Sequence, residues 1–273
     1  EWGISDTQFD WSTGAYEQVF TVHPEWRGSV IADLNFELPA LAHGTRARIR
    51  STYEYVPFLE EFLKDLPTLT RAYPEETRVT APIETWSDDF SIAISGIPSM
   101  VDDFTGGSFM QTNYHSQFDN DGYYDEDVYR MHHELFGLLL MAIDKTAVVP
   151  LSFAGVMKKA EECISDEWCE KCGADRDGFV KALRKAAKAG DKAYEKVLEA
   201  NREYARYSAA LQNDAGDKEE NPAAKADALY ENNRNLEKAL LRAFQKVQDT
   251  FVRIDWHGMV LFPQEILQEH LTL

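Results

Sequence analysis

The sequence predicts an α/β fold followed by an all-α region, and three observations carry that expectation. Short β-branched runs alternate with helix-like segments through the first half. Beyond Pro150 the composition turns to long amphipathic patterns of Ala, Glu, Lys and Leu. At 273 residues the chain exceeds the usual size of one domain, so two are expected, 1–150 and 151–273, with the boundary near 148–153.

Taken in order, "GSVIADLNFEL" at 28–38 has the apolar character of a buried strand ended by Pro39. "STYEYVPFLEEFLKDL" at 51–66 places Tyr55, Phe58, Leu59, Phe62 and Leu63 on one helical face, with Ser51 as the expected cap. "DFSIAISGIPSM" at 89–100 predicts a second strand leading into a Gly-Ile-Pro break, and 125–144 predicts a helix opened by acids that suit its N-terminal dipole. After the boundary, helices are expected near 153–164, 176–189, 191–212 and 222–249. In the last, Leu229, Leu236, Leu240, Phe244 and Val247 repeat at helical spacing behind Pro222. "NDAGDKEENP" reads as a solvated turn, and Lys181, Arg184, Lys185, Lys188 and Lys192 as a solvated helix face.

Charge excludes some functions. With 28 basic against 47 acidic residues the net charge is −19, which repels phosphate backbones and anionic lipid surfaces, so neither nucleic acid nor membrane is expected as a partner. The longest apolar run, "LFGLLLMAI" at 135–143, falls short of the roughly 20 residues needed to cross a bilayer and predicts a buried helix. No signal-peptide pattern or Asn-x-Ser/Thr acceptor is present, and localisation stays open. Glu1 in place of a methionine suggests a trimmed chain. Cys163, Cys169 and Cys172 stand together without a fourth ligand, so a local disulfide or reduced thiols are expected before a zinc site.

Chemistry concentrates in "TNYHSQFDNDGYYDED" at 112–127, an acid-rich loop ahead of the apolar helix. His115 sits where loops beside rigid elements place ligands, with a surface or capping histidine as the plain alternative. Asp119-Asn120-Asp121-Gly122 imitates an EF-hand, but setting Gly122 at the invariant glycine puts Gln117 and Val128 where obligatory carboxylates belong, so calcium is not expected. Asp33, at the end of "SVIAD", is placed to point into the crevice of an open sheet, with a turn aspartate as the alternative. His132 and His133 are expected to serve packing and surface contact.

Together, "NYHSQFDN", "DVYRMHHELFGLLLMAID", "VIADLNFELP", "WSDDFSIAISGIPSM" and the terminal "FPQEIL" resemble the zinc peptidases that include aminopeptidase Y, glutamate carboxypeptidase and the transferrin receptor ectodomain. The resemblance covers most of the chain. It implies the C-terminal half of a mixed-sheet zinc-peptidase domain followed by a helical domain that forms a homodimer. Two zinc ions about 3.5–4 Å apart would share a bridging water in the intact enzyme, which would take a peptide substrate. His115 then matches the histidine of one zinc site, and Glu1 the second glutamate of a Glu-Glu-Phe/Trp-Gly motif binding the same ion. Asp33 matches a ligand of the other ion, and Tyr114 a catalytic tyrosine that stabilises the oxyanion.

The preceding glutamate, a general base, and a His-x-Asp segment would lie upstream. These residues alone therefore fall short of the ligands a catalytic zinc requires, and the fragment is expected to be inactive with its zinc wholly or partly lost. Val101, Asp102 and Asp103 stand where glutamate-preferring members carry arginines, and the two acids would repel an acidic side chain, which leans the expectation toward an aminopeptidase-like exopeptidase. A receptor-like or structural dimerisation homologue without metals is the second expectation.

Overall fold

The computed structural model describes residues 13–37, 39–40, 46–64, 66, 73, 75–84, 87–105, 113, 117–118, 120–212, 222–254 and 270–272. The chain is mixed α/β. An opening helix α1 (Thr13–Glu17) runs on as a π-turn (Gln18–Val22), and β1 (Asp33–Asn35) follows. Next come β2 (Arg46–Ser51), α2 (Val56–Lys64), β3 (Glu76–Thr80), α3 (Asp88–Ile94) and β4 (Ser99–Thr105). The sheet order is β1-β4-β2-β3. Parallel pairing joins β1 to β4 and β2 to β3, whereas β2 and β4 are antiparallel with Ile49 opposite Asp102.

Period-two alternation decides which way β2 faces. Ala47, Ile49 and Ser51 are buried against the helices, while Arg50 turns outward and pairs with Glu84 at 2.8 Å. Ser51 is the last residue of β2 and caps nothing. Its hydroxyl donates to the Thr52 carbonyl at 3.0 Å, and a 3₁₀ turn (Tyr53–Tyr55) intervenes before α2. The expected apolar face is present: Tyr55 and Leu59 are fully buried, and Phe58, Phe62 and Leu63 pack on the same core. Tyr55 satisfies its hydroxyl by donating to the Ile31 carbonyl at 2.8 Å, tying this turn to the entry of β1.

Both expected strands differ from expectation, and β2 and β3 answer to no expected strand. The predicted strand at 28–38 shrinks to β1, so Asp33 begins a strand and does not end one. The predicted strand at 89–100 is a helix and a strand in succession. Asp88 and Asp89 occupy the first turn of α3, where carboxylates favour the helix dipole, and Phe90 and Ala93 lie three apart on its buried face. Gly96, at φ +104, then turns the chain into β4; a side chain there would meet Gln245 at 2.9 Å.

Helix α4 (Glu126–Asp144) opens as expected, with Asp125 accepting from the backbone of Asp127 and Val128 at 3.0 Å each. Its Val128, Met131, Leu135, Leu139 and Ile143 lie on the core side. The chain then runs through Ala147–Phe153 without regular structure and enters α5 (Ala154–Glu162) and α6 (Asp166–Cys172). Helix α6 was not expected; Ser165 caps its start and Gly173, at φ +67, ends it.

The helices expected at 176–189 and 191–212 are one, α7 (Arg176–Gln212). Its inward face, Val180, Leu183, Ala187, Gly190, Tyr194 and Val197, keeps three- and four-residue spacing straight through the glycine. Gly190 is not a breaker but a point of close approach, since a Cβ would stand 3.0 Å from the Ala154 backbone nitrogen and 3.1 Å from the Phe153 Cβ. Helix α8 (Pro222–Phe251) buries Leu240, Phe244 and Val247 as the periodicity predicts, with Ala226 more deeply buried than Leu229. Short β5 (Val252–Ile254) and β6 (His270–Thr272) pair antiparallel at the end. Most of the "NDAGDKEENP" turn lies outside the described residues, and Lys181, Arg184, Lys185, Lys188 and Lys192 are all exposed.

The stretch at the expected boundary is itself core. Val148, Val149 and Leu151 are fully buried between the sheet helices and α7 and α8. Such a strap cannot use water for its backbone, and side chains take over. Asn201 on α7 accepts from the nitrogens of Ala147 (3.0 Å) and Val148 (2.9 Å) and donates to the Val148 carbonyl at 2.9 Å. Glu237 on α8 accepts from Val149 at 3.2 Å, and Ser152 donates to the Glu54 carbonyl at 2.9 Å. Replacing Asn201 by Leu strands three backbone groups, and urea titration is expected to show a loss of about 2–4 kcal/mol with an unchanged slope.

Candidate functional site

A cleft of about 310 Å³ lies between α1, the 3₁₀ turn at Pro24–Trp26, β1 and α3. Ala15, Val19, Trp26 and Ile97 give it apolar walls, and two carboxylates, Asp33 and Asp88, open onto it. Two local features place Asp33 there. Its backbone nitrogen donates to the Pro98 carbonyl at 2.8 Å, and its register partner in β4 is Ser99. The pleat then turns Asn35 to the same side of the strand, where its amide reaches Asp89 Oδ1 at 3.4 Å.

Asp89 is fully buried, and Ser87 Oγ also donates to its Oδ1. One oxygen of each aspartate, Oδ2 of Asp33 and Oδ2 of Asp89, is buried without a hydrogen-bond partner. Burial first and the charge of Asp89 second push Asp33 up to about 7, against an opposing hydrogen bond from Ser99. Burial likewise pushes Asp89 up to about 6, with Ser87 and Asn35 holding it down. Burial thus opposes the charged form of both carboxylates, and a cation at the cleft would favour the ionised form of Asp33.

Just past the end of β1, Glu37 is raised by burial and by Asp88, Asp102 and Asp89. Its backbone nitrogen donates to Asp102 Oδ1 at 2.5 Å. Asp102 is buried, and its Oδ2 lies 3.0 Å from His132 Nδ1, within ion-pair reach but outside hydrogen-bond geometry. His132 is buried and stacks on Tyr73 with ring centroids 5.8 Å apart, so it packs as expected. His133 is exposed, its Nδ1 2.8 Å from the Tyr129 carbonyl. The expectation that Asp102 would repel an acidic substrate is corrected, because its carboxylate faces His132 inside the core.

Of the expected site residues, Asp33 is in the cleft, and Glu1, Tyr114 and His115 lie outside the described residues. Among the described residues no three side chains of His, Cys, Asp or Glu converge to hold a metal. Asp33 nevertheless fits the part of a ligand, since its free oxygen is the orphan that a cation would satisfy. The three cysteines are free thiols, and Cys172 Sγ donates to the Trp168 carbonyl at 2.7 Å. No helix among the described residues is long and apolar enough to cross a membrane.

Sequence reading missed Asp89 and Glu54. The tandem Asp88-Asp89 after Ser87 is a helix-start signal that a strand assignment concealed. Glu54, between two tyrosines, is fully buried with neither carboxylate oxygen hydrogen-bonded, and burial pushes it up to about 8. Its interruption of an aromatic run was the available signal. Compared with protein-family models and with curated proteins, the chain matches none.

Asp33 sets a pH dependence. Its folded value of about 7 lies above an unfolded value of about 4, so the stability it contributes is full below about pH 4 and is lost as pH rises through 7. In chelator-treated protein, Asp33→Asn is expected to reduce the fall in stability between pH 5 and pH 8 by on the order of 2–4 kcal/mol. Urea midpoints at the two pH values measure it.

Proposed function

We propose that the chain is the C-terminal part of a co-catalytic two-zinc exopeptidase, aminopeptidase-like in preference. Residues 1–150 would complete the catalytic domain, and 151–273 would supply a helical, transferrin receptor-like dimerisation domain. The observation that carries this reading is the unpartnered, buried Oδ2 of Asp33 at the cleft, with Asp89, whose charge acts on Asp33, carrying a second orphaned oxygen. A cation brought to the cleft would satisfy the Asp33 oxygen and offset the cost of its buried charge.

When bound, the zinc pair would activate water and polarise the scissile carbonyl. The roles of this chain's own residues are narrower. Asp33 presents a carboxylate whose ionisation, opposed by burial and by Asp89, is restored by a cation. Asn35 and Ser87 hold Asp89 in place behind it. By the resemblance, Glu1 and His115 would hold the second zinc, and the Tyr114 hydroxyl would donate to the oxyanion. With Asp102 turned to His132, the aminopeptidase preference rests on the missing arginines and on Asp103.

Metal analysis and hydrolysis of aminoacyl and acidic dipeptide reporters by the full-length protein test the reading. Two zinc ions per chain are expected, and Asp33→Asn or His115→Ala is expected to cut kcat/KM roughly 100-fold or more with loss of metal. A folded full-length protein that stays metal-free in excess zinc would support the receptor-like reading instead.

A further inference from the structure

Helix α4 carries a second feature on its outward side. Glu134, Leu138, Met141 and Lys145 recur at three- and four-residue spacing and form one exposed stripe, with Leu138 42% and Met141 53% exposed. Between α4 and α2 it borders an apolar groove of about 350 Å³ whose other wall is Phe58 and Phe62. Gly137, on the same side, has nothing within 4 Å of where a Cβ would stand. Neither Glu134 nor Lys145 is ion-paired with a described residue, unlike the nearby Glu126–Arg130 and Glu61–Lys64 pairs.

The order of these residues is antisymmetric. From the N-terminal end the stripe reads acid, small, apolar, apolar, small, base: Glu134, Gly137, Leu138, Met141, Ala142, Lys145. A second α4 laid antiparallel about a two-fold axis, at the level between Leu139 and Leu140, brings Leu138 to Met141 of the second copy and Gly137 to its Ala142. Both ends then join Glu134 to Lys145 of the other copy. A parallel copy would set like charges together. Small residues near the axis admit the 8–10 Å approach that helix pairs need.

Charge limits where two such chains can meet. At a net charge of −19 they repel over most of their surface, but beyond about 8 Å that repulsion is screened at physiological salt. Contact then falls to patches that are locally neutral and apolar, as this stripe is. We propose that α4 is an isologous docking surface for a second copy of this chain, antiparallel across a two-fold, with Leu138 and Met141 at its centre and the Glu134–Lys145 pairs at its rim. It is separate from the zinc reading and from the dimer ascribed above to the helical region.

Sedimentation equilibrium of the full chain over rising concentration tests it, with circular dichroism to confirm folding. The mass is expected to double with concentration, and Leu138→Glu with Met141→Glu to halve the assembled mass. Glu134→Lys alone and Lys145→Glu alone should each weaken association roughly tenfold, because a two-fold contact loses both pairs at once. Combined, the two reversals should restore it to within about twofold of the parent. A monomer mass at every concentration in the parent, assembly that survives the paired glutamates, or reversals that add without rescue would each overturn the proposal. The second outcome would point to another dimer surface, such as α7 and α8, and none of the three bears on zinc binding.

Discussion

Asn201 and the strap it holds govern how the molecule is joined. Ala147–Phe153 passes through the interior without the internal hydrogen bonds of a helix or a ladder; Leu151 donates back to the Val149 carbonyl at 2.9 Å, and Ala147, Val148, Val149 and Ser152 find partners elsewhere. Asn201 supplies three of those bonds from α7, Glu237 one from α8, and Glu54 one through its backbone. Because the partners stand on different elements, the bonds form only when sheet and helices are together. The apolar side chains of the strap add to this, being shared by α4, α7 and α8 in one continuous core.

That joint also places the candidate site. Gly190 lets α7 approach the Phe153–Ala154 backbone, and Gly96 lets α8 approach the turn before β4. The second contact bears directly on chemistry, since β4 carries Ser99 opposite Asp33. A helix far from the cleft in sequence thus backs the strand that aims its carboxylate. Burial raises the values of Asp33, Asp89, Asp102 and Glu54, and all oppose folding more strongly as pH rises. They differ in surroundings. Asp33 opens on a cleft that Asp88 also lines, whereas Asp89 and Glu54 lie wholly within the fold.

Much of this was legible in the amino acids because the signals are local. The inward face of α4 and its Asp125 cap, the apolar repeat of α8 and the face shared by Tyr55 and Leu59 follow from spacing and capping chemistry alone. Failures came where two local signals compete. "DDFSIAI" holds β-branched residues that suit a strand and an acidic start that suits a helix, and burial of Phe90 and Ala93 decides for the helix. Gly190 reads locally as a break and is required by a neighbour that no window of sequence contains.

By itself, the sequence determined the mixed α/β class, the acidic character of the chain and the candidacy of Asp33, since each depends on residue type and spacing. Only the tertiary structure decided that Asp102 turns inward to His132, that Asp89 stands beside Asp33, and that the strap at Ala147–Phe153 belongs to the core. These are contacts between residues distant in the chain, and their energies arise only when packing removes water from both partners at once.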